Sequence, residues 1–125
     1  MKLDTIHVFV ADYSKLPVAA EIYGQVGVHR TVEGNGKGGI FLSTRYWSVS
    51  HIVSGTGIVE FRSKTKAREF AKLCALVDLD ETWQRVESGD TSARKAPEVL
   101  KQFIRENDGY AFRCTYRPDH VQECS

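Results

Sequence analysis

His51 stands three residues before Ser54, and Gly55 and Gly57 follow, within the stretch HIVSGTGIVEF. A histidine placed to take a serine's proton is one requirement of acyl transfer; an orienting acid and an oxyanion hole are the others. The surrounding sequence does not supply them. Ser54 falls among turn residues rather than at a strand-to-helix elbow. The stretch is therefore read as a β-hairpin whose glycines provide positive φ at the turn, and no catalytic residue is assigned.

Two further patterns invite chemistry. EGNGKGG, residues 33–39, places four glycines within six residues. A phosphate loop needs Ser or Thr after its lysine and a helix behind it, because backbone N–H groups and the helix N-terminus hold the phosphates. Neither follows Lys37, so the stretch reads as a flexible connection. The four histidines and three cysteines show no HxxxH, HExxH or CxxC spacing, so neither a metal nor any other cofactor is expected.

The basic residues say more. Arg62, Lys64, Lys66, Arg68 and Lys72 surround the start of the clearest helix. Lys64, Arg68 and Lys72 follow one another at i, i+4, i+8 and share a stripe. Like charges at that spacing repel mildly, and cations at a helix N-terminus oppose its dipole. An anion or an acidic partner would relieve both. The alternative is a solvated face, partly neutralised by Glu69, Asp78, Asp80 and Glu81. Arg113 and Arg117 share one face of a last strand with Thr115, and arginine's planar fork suits phosphate or carboxylate. The candidate partner- or anion-binding residues are thus Arg62, Lys64, Arg68, Lys72, Arg113 and Arg117. Reversing Lys64 and Arg68 to glutamate is expected to leave folding intact.

The elements that must position these residues alternate between two periods. TIHVFV (5–10), QVGVHRTV (25–32), RYWSVSHI (45–52), IVEF (58–61) and YAFRCTYR (110–117) read as strands, and Ile40 begins another extended segment. VAAEIY (18–23) fits a short helix or a strand. DYSKLP (12–17) reads as a break. Over residues 64–77, Ala67, Phe70, Ala71, Cys74 and Val77 form one apolar stripe, with Ser63 as N-cap. A second helix starts near Pro97, buries Val99, Leu100, Phe103 and Ile104, and is stopped by NDG at 107–109. The fold expected is α+β: a mainly antiparallel sheet with two principal helices packed on one face, residues 1–125 forming a single domain.

Composition sets the class. At 42% hydrophobic and 26% charged residues, with a formal net charge of +1, the chain has no global pull toward nucleic acid or anionic lipid. No apolar run suggests a membrane span, and the first residues lack a signal-peptide pattern. Three widely spaced cysteines suggest a reducing, cytoplasmic setting.

WSVSHIVSGTGIVEFRSKTKAREFAKLC, residues 47–74, resembles a type found in small accessory proteins of phages and other mobile elements. The resemblance rests on a W-x-V-x-H strand, an S-G turn, a strand ending in Phe and an A-x-x-F-A helix. It covers under a quarter of the chain and carries no catalytic residue. It implies a phage-like setting, in which compact non-enzymatic proteins bind and block a host protein or ribonucleoprotein complex, CRISPR and other defence components included. The expectation is a cytoplasmic, non-enzymatic inhibitor of that anti-defence kind. The alternative is a small nucleic-acid- or nucleotide-binding domain using the basic residues above.

Overall fold

β-branched and aromatic residues dominate the extended segments, and hydrogen-bonded ladders join them all. A computed structural model describes residues 2–9, 15–34, 40–55, 57–76 and 98–111. The order is β1 (Lys2–Phe9), β2 (Lys15–Tyr23), β3 (Val26–Gly34), β4 (Ile40–His51), β5 (Gly57–Phe61), α1 (Lys64–Cys74), α2 (Glu98–Glu106) and β6 (Tyr110–Ala111). The six strands form one antiparallel sheet in sequence order, each bonded to the next. The architecture is α+β and mainly sheet.

The ambiguous VAAEIY is strand. β2 also takes in Lys15, Leu16 and Pro17, where the sequence suggested a break. Proline has no N–H for a ladder, yet β2 meets β3 only at Glu21–Tyr23, so around Pro17 the described ladder is with β1 alone. Glu33 and Gly34, expected in a connection, end β3. The apolar stripe of α1 is as expected, and the described helix closes at Cys74; Val77 lies outside the described residues.

One face of the sheet carries the larger core. Val28, Val49 and Val59 are register neighbours across β3, β4 and β5, all fully buried. Ala67, Phe70, Ala71 and Cys74 of α1 pack onto this row, with Leu100 of α2. The rings of Phe61, Phe70 and Phe103 meet at centroid distances of 5.8–5.9 Å, within the range for favourable tilted and edge-on aromatic pairs. Burial pushes the Cys74 thiol up to about 12, so it stays protonated and acts as a small hydrophobe.

The opposite face is covered too, by the chain's own first hairpin. Ile6, Val8, Val18 and Ala20 form a second cluster with Val32 and Ile52 at its margin. A Cβ on Gly27 of β3 would stand 2.9 Å from Cδ1 of Ile6. A Cβ on Gly55, in the β4–β5 turn, would stand 2.7 Å from the carbonyl oxygen of His7. The β1–β2 ribbon therefore crosses that face from β3 to the turn. Beneath it lies a buried polar row. Nε2 of His29 is 2.8 Å from Oγ of Ser50, and Oγ1 of Thr31 is 2.6 Å from Oγ of Ser48.

The β3–β4 pairing is interrupted. Arg30 pairs with Trp47 and Val32 with Leu42, so Thr31 alone faces the four residues Ser43 to Tyr46. This is an enlarged bulge, four residues against one. Oγ of Ser43 closes it by accepting from the backbone N–H groups of Arg45 and Tyr46, each at 3.0 Å.

Candidate functional site

The basic residues at the start of α1 divide into two groups. Alternation along β2 turns Glu21 toward the face that α1 covers, where it is buried. The Arg68 guanidinium grips it through two bonds of 2.7 Å, Nε to Oε1 and an Nη to Oε2. Lys64 Nζ reaches Oε2 at 3.1 Å, and the Tyr23 hydroxyl donates to Oε1 at 3.1 Å. The Arg68 fork above all, with Lys64 and Tyr23, holds the Glu21 carboxyl at about 2 against the pull of burial. The repulsion between Lys64 and Arg68 is offset by a carboxylate they share. This corrects the expectation that both can be reversed to glutamate without harm: the reversal would set new carboxylates against a buried one. The acid that Lys64 and Arg68 share comes from β2, 47 residues from Arg68; Asp78, Asp80 and Glu81 lie outside the described residues.

Arg62 is placed differently. It follows β5, is exposed, and holds its guanidinium 5.8 Å from the centre of the Tyr46 ring. Lys66 approaches Glu69 at a loose 3.8 Å. Both residues line a cleft of about 430 Å³ with Tyr46, Ser63, Asn107, Asp108 and Tyr110. Glu60 also borders it, but its carboxyl bonds Thr31, and burial raises its pKa. Lys72 is exposed on the last turn of α1. Arg113 and Arg117 lie outside the described residues. Sequence reasoning missed Tyr46 and Tyr110 as cleft walls, since the bulge and the turn after α2 that bring them together leave no periodic signal. Glu21 was findable: if VAAEIY is a strand, Glu21 and Tyr23 share a face opposite Ala20 and Ile22.

Trp47 carries two cations, Arg30 and Lys64, each 4.5 Å from its ring centre. Arg30 also donates to the Ser43 carbonyl at 3.2 Å, tying this cluster to the bulge.

His51 and Ser54 do meet. The Ser54 backbone N–H donates to Nδ1 of His51 at 3.3 Å, and Oγ lies 2.8 Å from the same nitrogen. That backbone donor makes Nδ1 the acceptor, so the hydroxyl donates to it as well. Each residue is only 2% exposed, however. The pair braces the turn, together with the Gly55 N–H bond to the His51 carbonyl at 2.9 Å.

A third surface lies on β4. Its pairing with β5 begins at Trp47, so among the described residues the stretch from Ile40 to Tyr46 is bonded to β3 alone. Ile40, Phe41 and Leu42 on this stretch are 47%, 48% and 46% exposed. Among the described residues no three or more His, Cys, Asp and Glu side chains gather as a metal site, and no helix is long and apolar enough to cross a membrane. No known family model matches the chain, and no curated protein or solved structure matches it either.

Proposed function

We propose that this chain is a non-enzymatic binding protein that acts by occupying a partner protein's surface. The observation behind this reading is the run Ile40–Phe41–Leu42, half exposed on a strand edge that β5 does not cover. Single exposed apolar residues are ordinary. Three in a row on an edge that has no second strand among the described residues are a liability that proteins normally blunt with charge, proline or cover. Such an edge fits recognition by strand addition, in which the backbone supplies hydrogen bonds and alternate side chains enter pockets. The resemblance over residues 47–74 gives the specific form: a phage or mobile-element protein that blocks a host defence component, such as a CRISPR effector, in the cytoplasm. The rival reading, a nucleic-acid domain built on the basic helix start, is weakened because Lys64 and Arg68 are engaged by Glu21.

The test is phage plating on a host whose CRISPR system targets that phage. Expression of the chain should restore plaques on this host and change nothing on a host without the system. Phe41→Asp, at equal abundance and melting temperature, should abolish the rescue. Full rescue by the variant would refute the β4 edge as the working surface, and no rescue by the wild type would refute the anti-CRISPR form.

A further inference from the structure

We propose that the cleft beside α1 is a nucleotide-binding site, with Arg62 and Lys66 holding a phosphate and Tyr46 and Tyr110 flanking a base. The site shares no residue with the run Ile40–Phe41–Leu42, so it stands or falls separately from the reading above. Four observations converge on it. First, the volume of about 430 Å³ falls in the range of small-ligand sites. Second, the cations are divided by the structure itself: Lys64 and Arg68 are bound to Glu21, whereas Arg62 has no ion pair among the described residues and Lys66 only a loose one. Third, the Arg62 guanidinium lies near the Tyr46 ring at 5.8 Å. At that distance the ring attracts the guanidinium as a cation and leaves its N–H groups open to a phosphate. Fourth, Tyr110 is 63% exposed at the cleft, and an accessible aromatic ring offers a base a stacking surface.

The acids decide what kind of anion fits. Glu60 turns its carboxyl to Thr31, so it is engaged away from a ligand. Asp108 remains on the lining and repels a bare anion. A nucleotide avoids that conflict: its phosphate can sit by the cations while an amino group of its base donates to the carboxylate. A mononucleotide and a single strand of nucleic acid present the same unit.

The experiment uses the full chain and a fluorescein-labelled single-stranded oligoadenylate of about ten nucleotides, read by anisotropy, with AMP and inorganic phosphate as competitors. The oligonucleotide should bind, and AMP should displace it at concentrations where inorganic phosphate does not. Arg62→Ala should weaken binding by about tenfold and flatten the dependence of log K on log salt by about 0.7, as loss of one phosphate contact requires. Tyr46→Ala should weaken binding by at least about fivefold, the low end of a lost base stack. Lys72→Ala, on the far end of α1, should change neither. Binding of AMP without the oligonucleotide, seen by calorimetry, would also support the site and identify a free nucleotide as its ligand. The proposal is overturned if neither nucleotide binds, if phosphate competes as well as AMP, or if Arg62→Ala and Tyr46→Ala, folded like the wild type, bind unchanged.

Discussion

At the scale of single residues, Glu21 is the acid on which the start of α1 depends. It meets Arg68 at two points, Lys64 at one and the Tyr23 hydroxyl at one. Arg68→Ala should therefore destabilise the fold by about 1–3 kcal/mol, since a buried carboxylate loses its main partner. Reversing Lys64 and Arg68 together should lose more, and Lys72→Glu should stay within about 0.5 kcal/mol. Urea unfolding of the three variants checks this ranking; a double reversal as stable as the wild type would contradict it. The same carboxyl sets an acid limit. Its folded pKa of about 2 lies below the ordinary 4.5, so its stabilisation is complete above about pH 4.5 and is lost as the pH falls toward 2. The amount is about 2 kcal/mol, less than the whole shift implies, because Lys64 and Arg68 are 36% and 38% exposed and water screens them. Melting temperatures of wild type and Glu21→Gln should converge through that window.

At the scale of elements, turns and ladders fix where the charged groups stand. Gly55 has φ of +76° and would carry a Cβ 2.7 Å from the His7 carbonyl oxygen. The obstacle is backbone, which cannot rotate away, so Gly55→Ala should destabilise by about 1–3 kcal/mol. An unchanged urea midpoint would show that the first hairpin does not rest on this turn. The contrast between the turn and the charges shows what the sequence made legible. The stripe Ala67, Phe70, Ala71, Cys74 obeys helical spacing, and Trp47, Val49 and His51 obey strand alternation, so local periodicity was enough to find them. The Glu21–Arg68 pair joins residues far apart in the chain, and only the packing of α1 over β2 makes it. Likewise alternation puts Ser48 and Ser50 on the face of β4 opposite Trp47, Val49 and His51, and both are buried. Their burial comes from a second hairpin crossing that face, and alternation within a strand carries no record of what covers it. The cleft depends on a bulge of four residues against one, which shifts register without altering composition.

At the scale of the whole molecule, the described residues join the β1–β2 ribbon to the rest by three ladder pairs, Glu21–Tyr23 against Val26–Val28, by the bonds of Glu21 to α1 and by the packing beneath the ribbon. His29 lies under that ribbon, 3% exposed, and burial holds its pKa below the usual 6.5. With Nδ1 2.7 Å from the Arg30 carbonyl and Nε2 2.8 Å from Ser50 Oγ, it is bound as the neutral ring, Nδ1–H donating. A lowered folded pKa means that stability is full above about pH 6.5 and declines as the pH falls below it. The decline should appear first as amide hydrogen exchange in β1 and β2 that is faster relative to the intrinsic rate at each pH, since lifting the ribbon lets water reach the charged ring. His29→Gln should remove that acceleration between pH 7 and 5, whereas uniform acceleration across all strands would place the opening elsewhere. The strand order has one more consequence, for the chain as it is made. From β1 to β5 each strand bonds to the next in sequence across a short connection, so those closures carry a small entropic penalty, and only β6 returns to β5 over a long one that holds both helices. The sheet can zip up in the order in which a ribosome releases it, beginning with β1 on β2. The valine row of β3, β4 and β5 must wait longer. It stays wet until α1 has left the exit tunnel, so the growing chain passes through a stage in which its largest apolar face is bare and open to whatever chaperone stands nearest.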